Sequence, residues 1–168
     1  TKGSTIRRAA FCGVYAFKRT HGLMPRGGIM RLSRALDQVG LFARSLQDVA
    51  LLAEQLVGYD ERDPDTRPRA KMPFVASAGE EPPLPPRLAF AKGPSGDRLE
   101  KETEEAFGEL CESLGEAVNA IELPLPADVL GWHQTLMAAE MAANLVMEWE
   151  RGPDKMQESL AALLQGGP

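Results

Sequence analysis

Gly3-Ser4-Thr5-Ile6-Arg7-Arg8-Ala9-Ala10-Phe11-Cys12-Gly13 leads into Ala16-Phe17-Lys18-Arg19-Thr20-His21-Gly22. Beyond Gly27-Gly28 the chain reads Leu36-Asp37-Gln38-Val39-Gly40 and then Phe42-Ala43-Arg44-Ser45. A glycine beside a serine lets backbone N–H groups approach a ligand closely, and consecutive N–H groups there can cradle an oxyanion. Taken alone, a Gly-Ser pair is more often a turn. Apolar runs at 9–14 and 39–43 are short and broken, and Gly27-Gly28 marks a turn. Residues 1–44 therefore read as strands and loops, the kind of segment that carries chemistry on a scaffold.

Outward from this stretch the chain becomes more regular. Ser45 with Asp48 three residues on has a capping-box pattern. Leu46, Val49, Ala50, Ala53, Leu56 and Val57 then recur at helical spacing, so 45–57 is expected to be a helix stopped by Gly58. The proline-dense stretch 59–86 can continue neither a helix nor a central strand and reads as a surface spacer. A strand at 87–91, a helix at 99–114 ended by Gly115, and a strand at 118–123 form a βαβ unit, which favours a parallel pair. A long Ala/Met/Leu-rich helix is expected over 127–149, broken at 151–153, with a last helix over 154–164. The reading is one 168-residue region in four parts: 1–58, 59–86, 87–126 and 127–168.

Composition limits the function. The 168 residues are 43% hydrophobic and 26% charged, with a formal net charge of -5, which is ordinary globular usage. Basic residues gather early (Lys2, Arg7, Arg8, Lys18, Arg19, Arg26, Arg31, Arg34) and acids later, over 100–116. An acidic chain of this kind argues against a nucleic-acid binder. Cys12 and Cys111 make neither a disulfide framework nor a metal-ligand spacing, so both are expected to be reduced and buried in a cytoplasmic protein. No apolar run has bilayer-spanning length, so no membrane association is expected. His133 and Glu140, seven apart, do not make a metal site, and Gly93-Pro94-Ser95-Gly96 lacks the ending of a phosphate loop. Trp132, Met137, Met141, Met147 and Trp149 read first as core packing and second as an apolar pocket lining.

In order and spacing, the quoted segments resemble the amidase signature family, whose core motif in many bacterial members runs Thr-Gly-Gly-Ser-x-Ile-Arg-Pro-Ala-Ala-Phe-Cys-Gly. The likeness continues through Gly58-Tyr59-Asp60, Asp63-Pro64, the βαβ unit and the Met/Ala-rich helix, so it covers nearly the whole chain. It implies an α/β fold, a partial amidase-signature fold with a mixed β-sheet flanked by α-helices. It also implies hydrolysis of a small-molecule amide through an acyl-enzyme by a Ser–cis-Ser–Lys triad, without metal or organic cofactor. Ser4 matches the nucleophile, and the backbone N–H groups of Thr1, Lys2, Gly3 and Ser4 match the oxyanion hole. Arg7 and Asp37 match charged motif positions and read as scaffold groups. A serine hydroxyl needs a base within hydrogen-bond reach; the family's lysine and bridging serine are expected upstream of the nucleophile, outside this chain. Lys2, Lys18, and His21 backed by Asp37 are the substitutes nearest in sequence, and the family suggests none of them. A homodimer is one assembly the reading leaves open.

Several motif positions depart from the family pattern. Lys2 stands where the first glycine of the pair is usual, and a side chain there can crowd an oxyanion hole. Arg8, Arg19, Arg31, Arg34 and Leu41 stand where proline is usual, and Ala16 where glycine is. An arginine in a packed loop leaves an unpaired charge unless it reaches solvent. Two alternatives to an amidase fragment follow: a catalytically inactive fragment acting only as a binding module, its open sheet edges inviting partners, or the amidase subunit of a tRNA-dependent amidotransferase.

Overall fold

The structure is a computed structural model that describes residues 3–94, 96–126 and 128–165, with backbone alone for Leu163 and Gln165. Two compact units are present, one made of the segment up to Glu80 with the segment from Thr135 onward, the other of Glu81–Gln134.

The first unit opens with helix α1, Ser4–Cys12, where strands and loops were expected. Its ends explain the difference. Gly3 caps it in the left-handed region (φ 69°), and Gly3 C=O accepts from Arg7 N–H at 2.9 Å. At the other end Gly13, also left-handed, donates to Ala10 C=O, and Val14 N–H donates to Ala9 C=O. These paired bonds form a Schellman stop, which secures a helix too short for periodicity to reveal. Cys12, expected to be buried, is exposed on it, and neither cysteine is in a disulfide.

Strands β1 (Tyr15–Phe17) and β2 (Leu41–Ala43) pair antiparallel, Phe17 opposite Leu41. Helix α2, Leu46–Leu56, is the expected one: Ser45 Oγ accepts from Asp48 N–H at 3.1 Å, and Val49, Ala50 and Ala53 are buried. Met24, Leu41 and Ala53 form the core, with Phe17, Val39, Val57 and Phe74 packed on it. Burying large side chains such as Met24 and Leu41 contributes roughly 1.5–3 kcal/mol each.

The stretch read as a surface spacer is more than that. It contains a short helix α3, Phe74–Gly79, whose Phe74 ring meets Phe17 edge-on at 5.9 Å. Asp63 and Thr66 are buried at 1% exposure. Thr66 Oγ1 lies 2.9 Å from the carbonyls of both Asp60 and Asp63, which share its one hydroxyl proton, and folds the Asp-Pro segment into a tight loop.

In the second unit β3 (Leu88–Phe90) and β4 (Val118–Ala120) pair in parallel, joined by α4 (Lys101–Leu114), as the βαβ reading expected. Phe90 and Phe107 stack strand on helix at 5.5 Å. The α/β architecture is thus realised, in the described residues, as two small sheets flanked by helices.

The single helix expected over 127–149 is α5 (Val129–Asn144) followed by α6 (Val146–Arg151). Leu145 departs from helical geometry (φ -104°, ψ 12°), although its amide still bonds Met141 C=O at 3.0 Å and its carbonyl Trp149 N–H at 2.9 Å. The Asn144 side chain donates to Glu140 C=O at 2.8 Å, competing for a helix carbonyl, and also to Leu32 C=O at 3.1 Å. A side chain bonding back to the i−4 carbonyl in this way is known to bend helices. Trp132, read first as core, is 59% exposed, whereas Met141 is buried. The last helix, α7, spans Glu158–Gln165.

Candidate active site

Ser4 is the first residue of α1 and half-buried. The leading N–H groups of a helix have no intrahelical partner. The left-handed Gly3 before a right-handed Ser4 turns successive N–H groups to one side, a nest that favours negative charge. Of the four residues matched to an oxyanion hole, Gly3 and Ser4 have this geometry; Thr1 and Lys2 lie outside the described residues, and with them the Lys2 departure. Thr5 is buried against Gly40, where a Cβ would lie 2.5 Å from Thr5 Oγ1. The glycine of Asp37-Gln38-Val39-Gly40 is therefore what lets α1 sit against this loop.

Two clefts meet at Ser4. One, about 250 Å³, is lined by Ser4, Arg26, Ile29, Met30, Leu32, Asp37, Gln38 and Val39. The other, about 220 Å³, is lined by Gly3, Ser4, Thr5, Ile6, Lys18, Ala35, Leu36 and Gln38. Ser4 and Gln38 belong to both.

A polar lattice holds the loop that walls these clefts. Asp37 Oδ2 accepts from the amides of Leu32 and Ser33 at 2.8 and 2.9 Å. Ser33, fully buried, donates its hydroxyl to Glu140 on α5. Buried Arg26 is met by Asp63, whose Oδ2 accepts from Arg26 N–H at 2.8 Å and from its Nε at 3.3 Å. Burial works to raise the Asp63 carboxyl, but the Arg26 bonds outweigh it and hold it below the ordinary carboxylate range. Asp65 accepts from Arg34 at 2.9 Å and from Arg26. Chiefly through Arg34, against some desolvation, its pKa is held at about 2.

Arg19, one of the arginines at a usual proline position, does not reach solvent. It is 2% exposed; Nη1 donates to Gln38 Oε1 and Nη2 to Met24 C=O, while Nε finds no acceptor among the described residues. Burial and then the neighbouring Arg26 charge lower its pKa. With Oε1 taken, Gln38 turns its Nε2 to His21 Nδ1 at 3.1 Å, and His21 Nε2 lies 3.5 Å from Asp65 Oδ2. His21 is thus engaged with Gln38 and Asp65. Asp37 does not stand behind it, and Ser4 is not its partner. Lys18 lines a cleft with Ser4, but its Nζ donates to Arg19 C=O at 3.1 Å. Arg7 is exposed on α1 and makes no ion pair among the described residues.

The motif readings singled out Ser4, Gly3, Arg7 and Asp37. They missed Gln38, which bridges both clefts, and the Arg26–Asp63–Asp65 lattice beneath them. The Asp63-Pro64 pair was visible as a motif, but its partner lies 37 residues away. Among the described residues no group of three or more His, Cys, Asp or Glu side chains is placed to hold a metal ion, and no helix is long and apolar enough to cross a membrane.

A hydroxyl opening a helix on an α/β frame, with the helix's leading N–H groups beside it and clefts on either side, is an arrangement suited to acyl transfer. The chain belongs to the amidase family, whose model matches residues 1–165. It is 36% identical over 151 residues to one of the subunits of the glutamyl-tRNA(Gln) amidotransferase of Thermus thermophilus, an alignment covering 86% of this chain and 31% of that protein. The chain therefore spans about a third of the length of the curated relatives it matches. Among solved structures it resembles an amidase at 25% identity and a TM-score of 0.76, covering 98% of this chain and 35% of that one. It also shares the fold of a protein from a vestigial complex tied to the origins of an s-triazine catabolic enzyme, with a TM-score of 0.79 at 19% identity over 97% of this chain and 35% of that one.

Proposed function

We propose that this chain carries the nucleophile and oxyanion cradle of an amide hydrolase. The observation that carries the reading is Ser4 at the N-terminus of α1, behind left-handed Gly3, where two clefts meet. Ser4 Oγ attacks the amide carbonyl carbon as a base takes its proton. The oxyanion is held by the first N–H groups of α1, and collapse expels the amine or ammonia, which takes up the proton. Water then attacks the acyl-enzyme, releasing a carboxylate and restoring the serine. The resemblance implies a lysine acting through a serine as the base, and the described Lys18 and His21 side chains are bonded elsewhere. The 168 residues alone are accordingly expected to turn over amides poorly.

The test is fluorophosphonate labelling with peptide mass mapping, on the chain alone and with any flanking sequence its gene encodes. Label on Ser4, absent from Ser4→Ala, supports the reading. Amide turnover that survives Ser4→Ala refutes it. A folded chain that is never labelled favours the inactive binding module.

The identity to amidotransferase subunits favours a second reading, in which the same serine releases ammonia from an amide donor within a multi-subunit enzyme. Amide-dependent activity appearing only with partner subunits plus a charged tRNA separates it from the stand-alone hydrolase.

A further inference from the structure

We infer that Lys18 selects amides carrying a carboxylate, an inference that rests on reading Ser4 as the reacting group. The two clefts at Ser4 differ in the charge they leave unspent. In the larger one Arg26 has no donor to offer. Its Nε and Nη2 bond Asp63, Nη2 also bonds Asp65, and Nη1 bonds the carbonyls of Arg34 and Asp37, which uses the five guanidinium N–H groups. Asp37, the other charged group there, repels an anion. The rest of that lining, apart from Ser4 and Gln38, is Ile29, Met30, Leu32 and Val39, so this side suits an uncharged, apolar arm.

The smaller cleft is the reverse. Among the described residues Lys18 is the charged side chain that lines it, with Ile6, Ala35 and Leu36 around it and Ser4 and Gln38 at its border. Lys18 Nζ spends one donor on Arg19 C=O at 3.1 Å, which leaves two of the three N–H groups of an ammonium without a partner among the described residues. The cleft's volume, about 220 Å³, equals roughly seven waters at ≈ 30 Å³ each, room for a short arm. An amide whose carbonyl sits at Ser4 would place an apolar arm on one side and an arm reaching an unspent ammonium on the other. The ligand class is a carboxylate-bearing amide. The carboxylate belongs either to the acyl part, as in a dicarboxylic half-amide, or to the amine part, as in an N-acylated amino acid.

Binding to the full 168-residue chain is measured by titration of the Ser4, Lys18 and Gln38 backbone signals in ¹⁵N-correlated NMR spectra. Two matched pairs are used: succinamate against butyramide, and N-butyrylglycine against its methyl ester. The expected result is about fivefold tighter binding of the carboxylate member of one pair, the scale of a partly exposed ion pair. The preference should weaken with salt, vanish in Lys18→Met and persist in Lys18→Arg. The pair that shows it identifies the side of the carbonyl that bears the charge. Equal binding within both pairs, binding by none of the four, or a preference that survives Lys18→Met overturns the inference. Binding needs no turnover: a Lys18-dependent preference without labelling of Ser4 keeps the carboxylate subsite and favours the inactive binding module, while labelling without preference removes this inference alone.

Discussion

Replacing Asp65 with asparagine tests whether the ionic lattice under Ser4 is as tightly held as its geometry indicates. The Asp65 side chain is 15% exposed and bonds Arg34 and Arg26, with His21 Nε2 at 3.5 Å. Its pKa is held at about 2. Against an unfolded value of about 3.9, this depressed group contributes about 2.5 kcal/mol of stability at pH 6. For a carboxyl depressed in the folded state, the contribution is fully present above the unfolded value and is lost as pH falls through the folded one. Between pH 6 and pH 3 about 1 kcal/mol should disappear, and most of the remainder by about pH 1. Urea unfolding followed by circular dichroism at pH 6, 4 and 3 checks this. Asp65→Asn should be less stable than wild type at pH 6 and lose about 1 kcal/mol less on going to pH 3. Curves that fall in parallel for the two proteins would refute the reasoning, because Asp65 would then titrate alike in the folded and unfolded chains.

Two further substitutions probe how α1 and α2 are fixed. Gly40→Ala drives a Cβ to 2.5 Å from Thr5 Oγ1; overpacking of this kind should cost about 1–3 kcal/mol, seen as a lower urea midpoint and partly restored by Thr5→Ala. Ser45→Ala removes the acceptor for Asp48 N–H and should cost about 1 kcal/mol in the same unfolding assay, with no change in ligand binding at Ser4.

Elements specified by nearby residues were legible in the sequence. Helix α2 was read from Ser45, Asp48 and an apolar stripe whose Val49, Ala50 and Ala53 are indeed buried. The parallel β3–β4 pair followed from strand, helix and strand at short spacing. Helix α1 was not legible: it has nine residues, and its decisive signal is Gly13, which reads equally well as part of a loop until Val14 N–H is seen on Ala9 C=O. Nor was the role of Asp63, since an Asp-Pro pair announces a turn, and its burial depends on Arg26, which local patterning cannot reach. The same holds for the site. Ser4 stood out because a motif surrounds it, whereas Gln38 acquires its place only through Arg19 and His21.

The bond from Ser33 to Glu140 ties together positions 107 apart in the chain. Closing so long a loop costs chain entropy before any contact repays it, so the brace on the wall of the Ser4 clefts is expected to form late in folding, once helix α5 docks. At roughly 5–20 residues per second of synthesis, Glu140 leaves the ribosome about 5–20 s behind Ser33. During that interval the growing chain has its serine but not the brace that shapes the space around it. A nascent chain released before helix α5 would thus expose an unfinished site, and chaperones would encounter this region first in that form.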